Sequence, residues 1–329
     1  MPTASQLDLH HSRYQCKGAV VELENLLIQR YAAKSLEYFA HTRSIAGISG
    51  LHLSKLRGRG IDFEEFRPYQ QGDDIRLIDW RVTARTSRPF TKVFREERER
   101  PVIIAVDQTT NMFFGSQVAF KSVIAAQVAA LFCWLAIDNG DRVGGLVFSD
   151  SDASLVRPRR SRRSALHLLN HIYRYNQRLQ ELSRGHLQTE SESIDPNFEP
   201  GLAYALGQIR RITKPGSTLY LISDFATLDE RALQFLYQLS RHNNVVCIFV
   251  SDPLEEVLPV PGYYAITDGN RRGAVNTFNS KVRERYKDQF RERVEMINNE
   301  LDLLQIPLIR IKTNQLAVEQ IRQWIQQNY

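Results

Sequence analysis

Apolar positions along this chain follow two regimes that change near residue 100. From Pro101 onward, short continuous apolar runs alternate with longer segments of mixed polarity. Val102–Val106 (VIIAV), Arg142–Phe148 (RVGGLVF), Ser217–Ser223 (STLYLIS), Val245–Val250 (VVCIFV) and Leu308–Ile311 read as strands. Such runs suit strands covered on both faces. Between and after them, the spacing predicts helices over about Gln117–Asn139, Ser161–Tyr175, Glu199–Ile212, Asp229–Arg241, Lys281–Leu304 and Gln315–Gln327, with Asp229 as an N-cap. The polar stretch Gln177–Asn197 reads as a loop. Strands alternating with helices predict an α/β fold with a mostly parallel sheet and helices on both faces.

Before residue 100 the texture differs. Leu23, Leu26, Leu27, Tyr31, Leu36 and Phe39 recur at helical spacing from Val20 to Ala40, leaving Glu24, Gln29, Arg30 and Lys34 on a polar face. Leu56–Arg100 is dense in charge and aromatics, and Phe90–Arg95 (FTKVFR) looks like a strand. The expected organisation is an N-terminal helix and a small β-rich charged unit in residues 1–100, followed by an α/β domain in residues 101–329.

The 329 residues are 43% hydrophobic and 24% charged, and 43 Lys/Arg against 37 Asp/Glu leave a net charge of +6. Both signs are mixed along the chain, so ion-paired, solvated faces are expected more than a nucleic-acid stripe. Cys16, Cys133 and Cys247 form no disulfide pattern, and a reducing, cytoplasmic setting is expected. The polar N-terminus does not read as a secretory signal. The longest apolar stretch, Val123–Ile137, is shorter than the roughly 20 residues of a membrane span and reads as a buried helix.

Three carboxylates, Asp107, Asp224 and Asp252, follow apolar strands directly, with Thr109, Thr110 and Ser223 nearby. Ligand sites of open α/β sheets lie at the carboxyl ends of strands, and oxygen ligands of this kind suit Mg²⁺. Asp residues at such positions also cap helices and turns. His167 and His171 stand four apart on an expected helix; without a Glu between them or an evident third ligand they read as a solvated pair. Arg157, Arg159, Arg160, Arg162 and Arg163 form a cluster without an intervening acid, suited to phosphate or an acidic surface, or simply to solvent. No G-x-x-x-x-G-K-[ST] or nucleophile elbow is present, which argues against P-loop nucleotide hydrolysis and serine-hydrolase chemistry.

From Arg57 to Arg100 there are eleven Lys/Arg and nine Asp/Glu. Arg67, Arg76, Arg81 and Arg85 are available to clamp Asp73, Asp74 and Asp79. Gly58, Gly60 and Gly72 permit tight turns, while Tyr69 and Trp80 could anchor the segment. Such a network serves equally as a stabilising ion-paired unit or as a docking surface.

These motifs also carry resemblances. RGRGIDF (57–63), FRPYQQGDDIR (66–76), IDWRVTAR (78–85) and KVFREERE (92–99) resemble the signature of the family called domain of unknown function 58. Asp107-Gln108-Thr109-Thr110-Asn111 resembles the Asp-x-Ser-x-Ser of the metal-ion-dependent adhesion site in von Willebrand factor A domains, and Leu221–Phe225 (LISDF) resembles the strand supplying its second Asp. The resemblances imply a von Willebrand A-like, Rossmann-like α/β domain. They also imply a degenerate metal site at Asp107, Thr109, Asn111 and Asp224. Asn111 replaces a Ser, and Phe198 and Glu199 stand where the motif's separate Thr is expected. No cofactor is therefore expected, Mg²⁺ being the ion the degenerate set would take weakly or not at all.

Members of the family are commonly encoded beside MoxR-type AAA+ ATPases. The resemblance implies a non-catalytic accessory that binds such an ATPase and its client protein, in protein assembly or stress response. The protein-binding residues would be Arg67, Tyr69, Asp73, Asp74, Arg76, Asp79, Trp80 and Arg81. Because some relatives begin with transmembrane helices, it leaves room for a membrane-associated complex; nucleic acid is not an expected partner. The alternatives are a metal-dependent hydrolase, with Asp107 and Asp224 holding the ion and Asp252 as base, and a nucleic-acid binder working through Arg157–Arg163.

Overall fold

The computed structural model describes residues 14–42, 61–70, 73–86, 88–96, 101–183, 201–267 and 272–328. The chain divides into two compact units: Leu51–Glu99 forms one, while Met1–Gly50 and Arg100–Tyr329 together form the other. This differs from a division at residue 100, and the N-terminal helix explains why.

In the larger unit, six strands lie in the order β10-β7-β6-β3-β4-β5. They are β3 (Pro101–Asp107), β4 (Arg142–Phe148), β5 (Ala153–Arg159), β6 (Thr218–Ser223), β7 (Asn244–Ser251) and β10 (Leu308–Lys312). All neighbouring pairs are parallel except β4 and β5. Side chains alternate between two cores. Val102, Ile104 and Val106 of β3 face one, while Ile103 and Ala105 face the other. The first core lies under α1 (Leu23–Thr42), α3 (Lys121–Asp138), α4 (Arg162–Ser183) and α9 (Ala317–Asn328). The second lies under α5 (Leu202–Ile212), α6 (Glu230–Ser240) and α8 (Ser280–Leu303). This is the open, doubly wound layout expected of a von Willebrand A-like domain. In β4, a Cβ on Gly145 would meet the Ile104 carbonyl at 2.2 Å and one on Gly144 the Val156 carbonyl at 2.4 Å, so glycine lets the neighbouring backbones approach.

Helix α3 is apolar all round, and Lys121 through Ala136 are buried. It is the helix among the described residues long and apolar enough to cross a membrane. Here it is a core helix that needs cover on every side, and α1 supplies part of that cover. Leu26, Ala32, Ala33 and Leu36 are buried, and the Trp134 indole N–H donates to the Leu26 carbonyl at 2.9 Å. Gln29, expected on the polar face, is buried and donates to the Tyr14 and Asn25 carbonyls, while Leu27 and Tyr31 are exposed. Upstream, Gly18 bridges Ala119, and the Val21 N–H donates to Asn176 Oδ1 at 2.8 Å. The N-terminal segment is thus woven into the sheet domain.

Other departures are local. Helix α4 runs to Ser183, into the stretch expected to be a loop; positions 184–197 of that stretch lie outside the described residues. Strand β5 takes up part of the arginine cluster. An antiparallel hairpin joins β8 (Tyr263–Thr267) to β9 (Arg272–Asn276), and a one-turn helix, α7 (Pro253–Glu256), follows β7.

In the smaller unit, β1 (Ile61–Pro68) pairs antiparallel with β2 (Phe90–Glu96), with a register shift between Phe63 and Glu65. A 3₁₀ turn at Ile75–Leu77 and a short helix, α2 (Trp80–Thr86), connect them. The helix was not expected.

Candidate functional site

Parallel strands bring their carboxyl ends to one edge. Because β3, β6 and β7 are adjacent and parallel, Asp107, Asp224 and Asp252 lie at the same end of the sheet, as strand-end position implied. All three are buried, and each is held by a separate set of donors.

Asp107 Oδ1 accepts from the Thr109 N–H at 2.9 Å and from Thr109 Oγ1 at 2.7 Å, while Oδ2 accepts from Ser223 Oγ at 2.6 Å. Burial, and then the nearby Asp224 charge, push the Asp107 carboxyl up from 3.8 to about 6; the hydrogen bonds from Ser223 and Thr109 oppose this. Next to it Phe225 adopts φ 53°, the left-handed region where a bulky residue is rare. That turn directs the Phe225 N–H to Ser223 Oγ and the Ala226 N–H to Asp224 Oδ1, both at 2.9 Å.

Asp224 Oδ2 accepts from the Lys121 ammonium at 2.6 Å, and the same Nζ donates to Glu255 Oε1 at 2.7 Å. Lys121 is only 1% exposed. Burial alone would lower its pKa, but Asp224 and Glu255 outweigh burial and hold it above the ordinary value. The Asp224 carbonyl accepts from Arg293 at 2.7 Å.

Asp252 begins α7 in a reciprocal cap: its carboxylate accepts from Leu254 N–H at 2.9 Å, and its own N–H donates to Glu255 Oε2 at 2.9 Å. This is the box formed when an acid precedes a Glu by three residues. Asp252 further accepts from the Ser116 N–H (2.9 Å), Ser116 Oγ (2.5 Å) and Thr313 Oγ1 (2.5 Å).

Of the metal-site residues proposed from sequence, Asp107, Thr109 and Asp224 converge on this edge. Asn111 lies in a 3₁₀ turn and is exposed; Phe198 and Glu199 lie outside the described residues. The donor set does not fit a divalent cation. Asp107 is engaged by hydroxyl and amide donors, Asp224 is engaged by an ammonium, and that ammonium lies against the second Asp. Among the described residues, no group of three or more His, Cys, Asp or Glu is placed to hold a metal. Lys121, Ser116, Glu255, Thr313 and Arg293 were not singled out from sequence.

In the Leu51–Glu99 unit, one of the expected arginine–carboxylate pairs is seen among the described residues. Arg67 pairs with Asp73 at 2.7 Å, and the other Asp73 oxygen accepts from the Gln70 N–H. Asp74 accepts from the Arg76 N–H and caps the 3₁₀ turn, while Asp79 accepts from the Arg81 and Val82 N–H groups and starts α2. Each of these carboxylates also shapes local backbone. Tyr69 is half-buried, and its N–H donates to the Pro89 carbonyl. Trp80, expected as an inward anchor, is 66% exposed, with Ile75, Leu77 and Phe66 also exposed. Arg76 and Arg81 are exposed beside them.

The remaining candidates stay modest. His167 and His171 face each other with Nε2 atoms 3.2 Å apart, and His171 Nδ1 lies 2.9 Å from Ser154 Oγ. Burial, His167 and Arg174 lower the His171 pKa. The five arginines are exposed on β5, in the bend after it and at the start of α4. All three cysteines are buried, and burial pushes their thiols well above the ordinary range.

The fold is a doubly wound α/β layout of the von Willebrand A-like kind, and at its strand-end edge the Asp107 and Asp224 carboxylates are engaged by internal bonds. The chain belongs to the family described as protein of unknown function DUF58, whose model matches residues 65–296. That match takes in most of the charged signature and leaves Arg57–Phe63 outside. The chain is 28% identical over 247 residues to the uncharacterized proteins Mb1516 of Mycobacterium bovis and Rv1480 of Mycobacterium tuberculosis, covering 75% of this chain and 72% of each relative. It is also similar to a solved structure, the conserved hypothetical protein BatB from Bacteroides thetaiotaomicron, at 18% identity and a TM-score of 0.38, over 69% of this chain and 98% of that one.

Proposed function

We propose that this protein is a non-catalytic accessory that presents its Leu51–Glu99 unit to a MoxR-type AAA+ ATPase and helps it act on a client protein. The observation that carries this reading is the inversion within that unit. Its carboxylates cap turns and pair with Arg67, while Ile75, Leu77 and Trp80 point outward beside Arg76 and Arg81. Among its described residues with placed side chains, Thr91 is the buried one, and no apolar side chain is buried. Grouped exposed apolar residues mark interaction surfaces, and Trp and Arg are the residue types that most often dominate binding energy. A basic, apolar face suits an acidic-rimmed groove, and the contact should weaken with salt. Family membership supports the choice of partner.

A metal-dependent hydrolase draws no support from the strand-end geometry, because Asp252, its base, is saturated with donors and Asp224 is paired. Exposure of the five arginines is compatible with phosphate binding, but no other observation points to nucleic acid.

The test is binding of the purified chain to the MoxR-type ATPases of its host at low and high salt, with ATPase rate followed in parallel. Salt-sensitive binding with a change in rate is expected. Absence of both with every such ATPase, alongside nucleic-acid binding or substrate turnover by folded protein, contradicts the reading.

A further inference from the structure

Lys121 is an unlikely place for a charge. It opens α3, where the helix dipole disfavours a cation, and it is buried at the head of an apolar helix. A buried ammonium persists only when paired and hydrogen-bonded. Here Asp224 Oδ2 and Glu255 Oε1 pair with it at 2.6 and 2.7 Å. Its partners are fixed in turn: Asp224 Oδ1 by Ala226, and Glu255 Oε2 by the Asp252 N–H. Three elements remote in sequence therefore meet at one cation, on the edge where the degenerate adhesion motif would place a metal.

We propose that the Lys121 ammonium is the resident cation of this edge, a covalently tethered counter-charge standing in for a divalent ion. The edge is consequently closed to metal and to any partner carboxylate that would complete a metal's shell. A second consequence is that removing the lysine side chain leaves an oxygen-lined space able to accept a divalent cation, with Asp224 and Glu255 as its principal ligands. This inference is independent of which surface binds a partner.

The experiment follows Mn²⁺ by electron paramagnetic resonance and thermal melting, on full-length wild type, Lys121→Ser and Lys121→Met. Wild type is expected to leave the free Mn²⁺ signal and its Tm unchanged. Lys121→Ser should melt roughly 10 °C lower, and millimolar Mn²⁺ should restore part of that loss, an effect removed by adding Asp224→Asn. Lys121→Met fills the space with apolar atoms, so it should be destabilised yet insensitive to Mn²⁺. If Lys121→Ser does not fold alone, recovery of soluble, folded protein only with Mn²⁺ supports the proposal equally. Stoichiometric Mn²⁺ binding by wild type that is lost in Asp107→Asn would overturn it. So would a Lys121→Ser protein, folded or unfolded, that is indifferent to Mn²⁺.

Discussion

The two charged regions of this molecule use the same residue types in opposite ways. At the strand ends, Asp107, Asp224, Asp252 and Glu255 are turned inward, and Lys121 is sealed among them. In the Leu51–Glu99 unit, Asp73, Asp74 and Asp79 bind local backbone or Arg67, and Trp80, Ile75, Arg76 and Arg81 are left on the surface. The strand-end carboxylates are engaged by internal donors, and the segment that reads as an ion-paired scaffold leaves Trp80, Ile75, Arg76 and Arg81 exposed, which is why we propose it as the partner surface. Charge in a sequence identifies which residues can interact; donor geometry decides whether they still can.

Five substitutions test that contrast. The largest effect is expected from Lys121→Met, which leaves buried Asp224 and half-buried Glu255 without their cation. Breaking a buried pair on one side costs roughly 3–5 kcal/mol, readable as a shift in urea unfolding midpoint at unchanged slope. A smaller loss would show that water reaches the pair.

Asp107 gives a pH test. Its folded carboxyl titrates near 6 against an ordinary 3.8. Between these values the folded chain holds a proton that the unfolded chain has released. Asp107's contribution is therefore fully present below pH 3.8 and is lost as pH rises through about 6, for a total of roughly 3 kcal/mol. Asp107→Asn should flatten this part of the stability–pH curve. An unchanged slope would place the titration elsewhere.

Thr313→Val removes one donor from the buried Asp252 carboxylate and should cost about 1–3 kcal/mol, measured the same way. The smallest change in stability is expected from Trp80→Ala and Ile75→Ala. Both side chains are more than 60% exposed, and substitution there should move unfolding by no more than about 0.5 kcal/mol. A loss of several times that would make Trp80 an internal anchor and end the contrast.

The central strands were legible because both faces are buried, so β3, β6 and β7 read as unbroken apolar runs. The positions of Asp107, Asp224 and Asp252 followed from those runs and the parallel topology. Edge strand β5 was not legible, since exposed arginines and Pro158 replace the apolar signal. Nor was α2, whose seven residues are too few to show a period and bury nothing. The Asp252–Glu255 cap is written locally as D-P-L-E and matches the capping role open to any strand-end Asp; the base role belonged only to the alternative hydrolase. Lys121 could not have been found this way. It registers in sequence only as the flank of an apolar stretch, and its two partners lie 103 and 134 residues away. Gln29 was misplaced for a related reason: a polar residue on α1 is buried because the Tyr14 carbonyl, in a segment with no periodic signal, lies over it.

On the proposed function, partner binding belongs to the small unit and the strand-end edge is structural. The most direct measurement is the affinity of the host's MoxR-type ATPase for wild type, Trp80→Ala and Asp107→Asn, each first shown to be folded. Trp80→Ala should weaken binding by about tenfold or more, with Asp107→Asn indistinguishable from wild type. Binding that survives Trp80→Ala and is lost in Asp107→Asn would reverse the two roles and contradict the account.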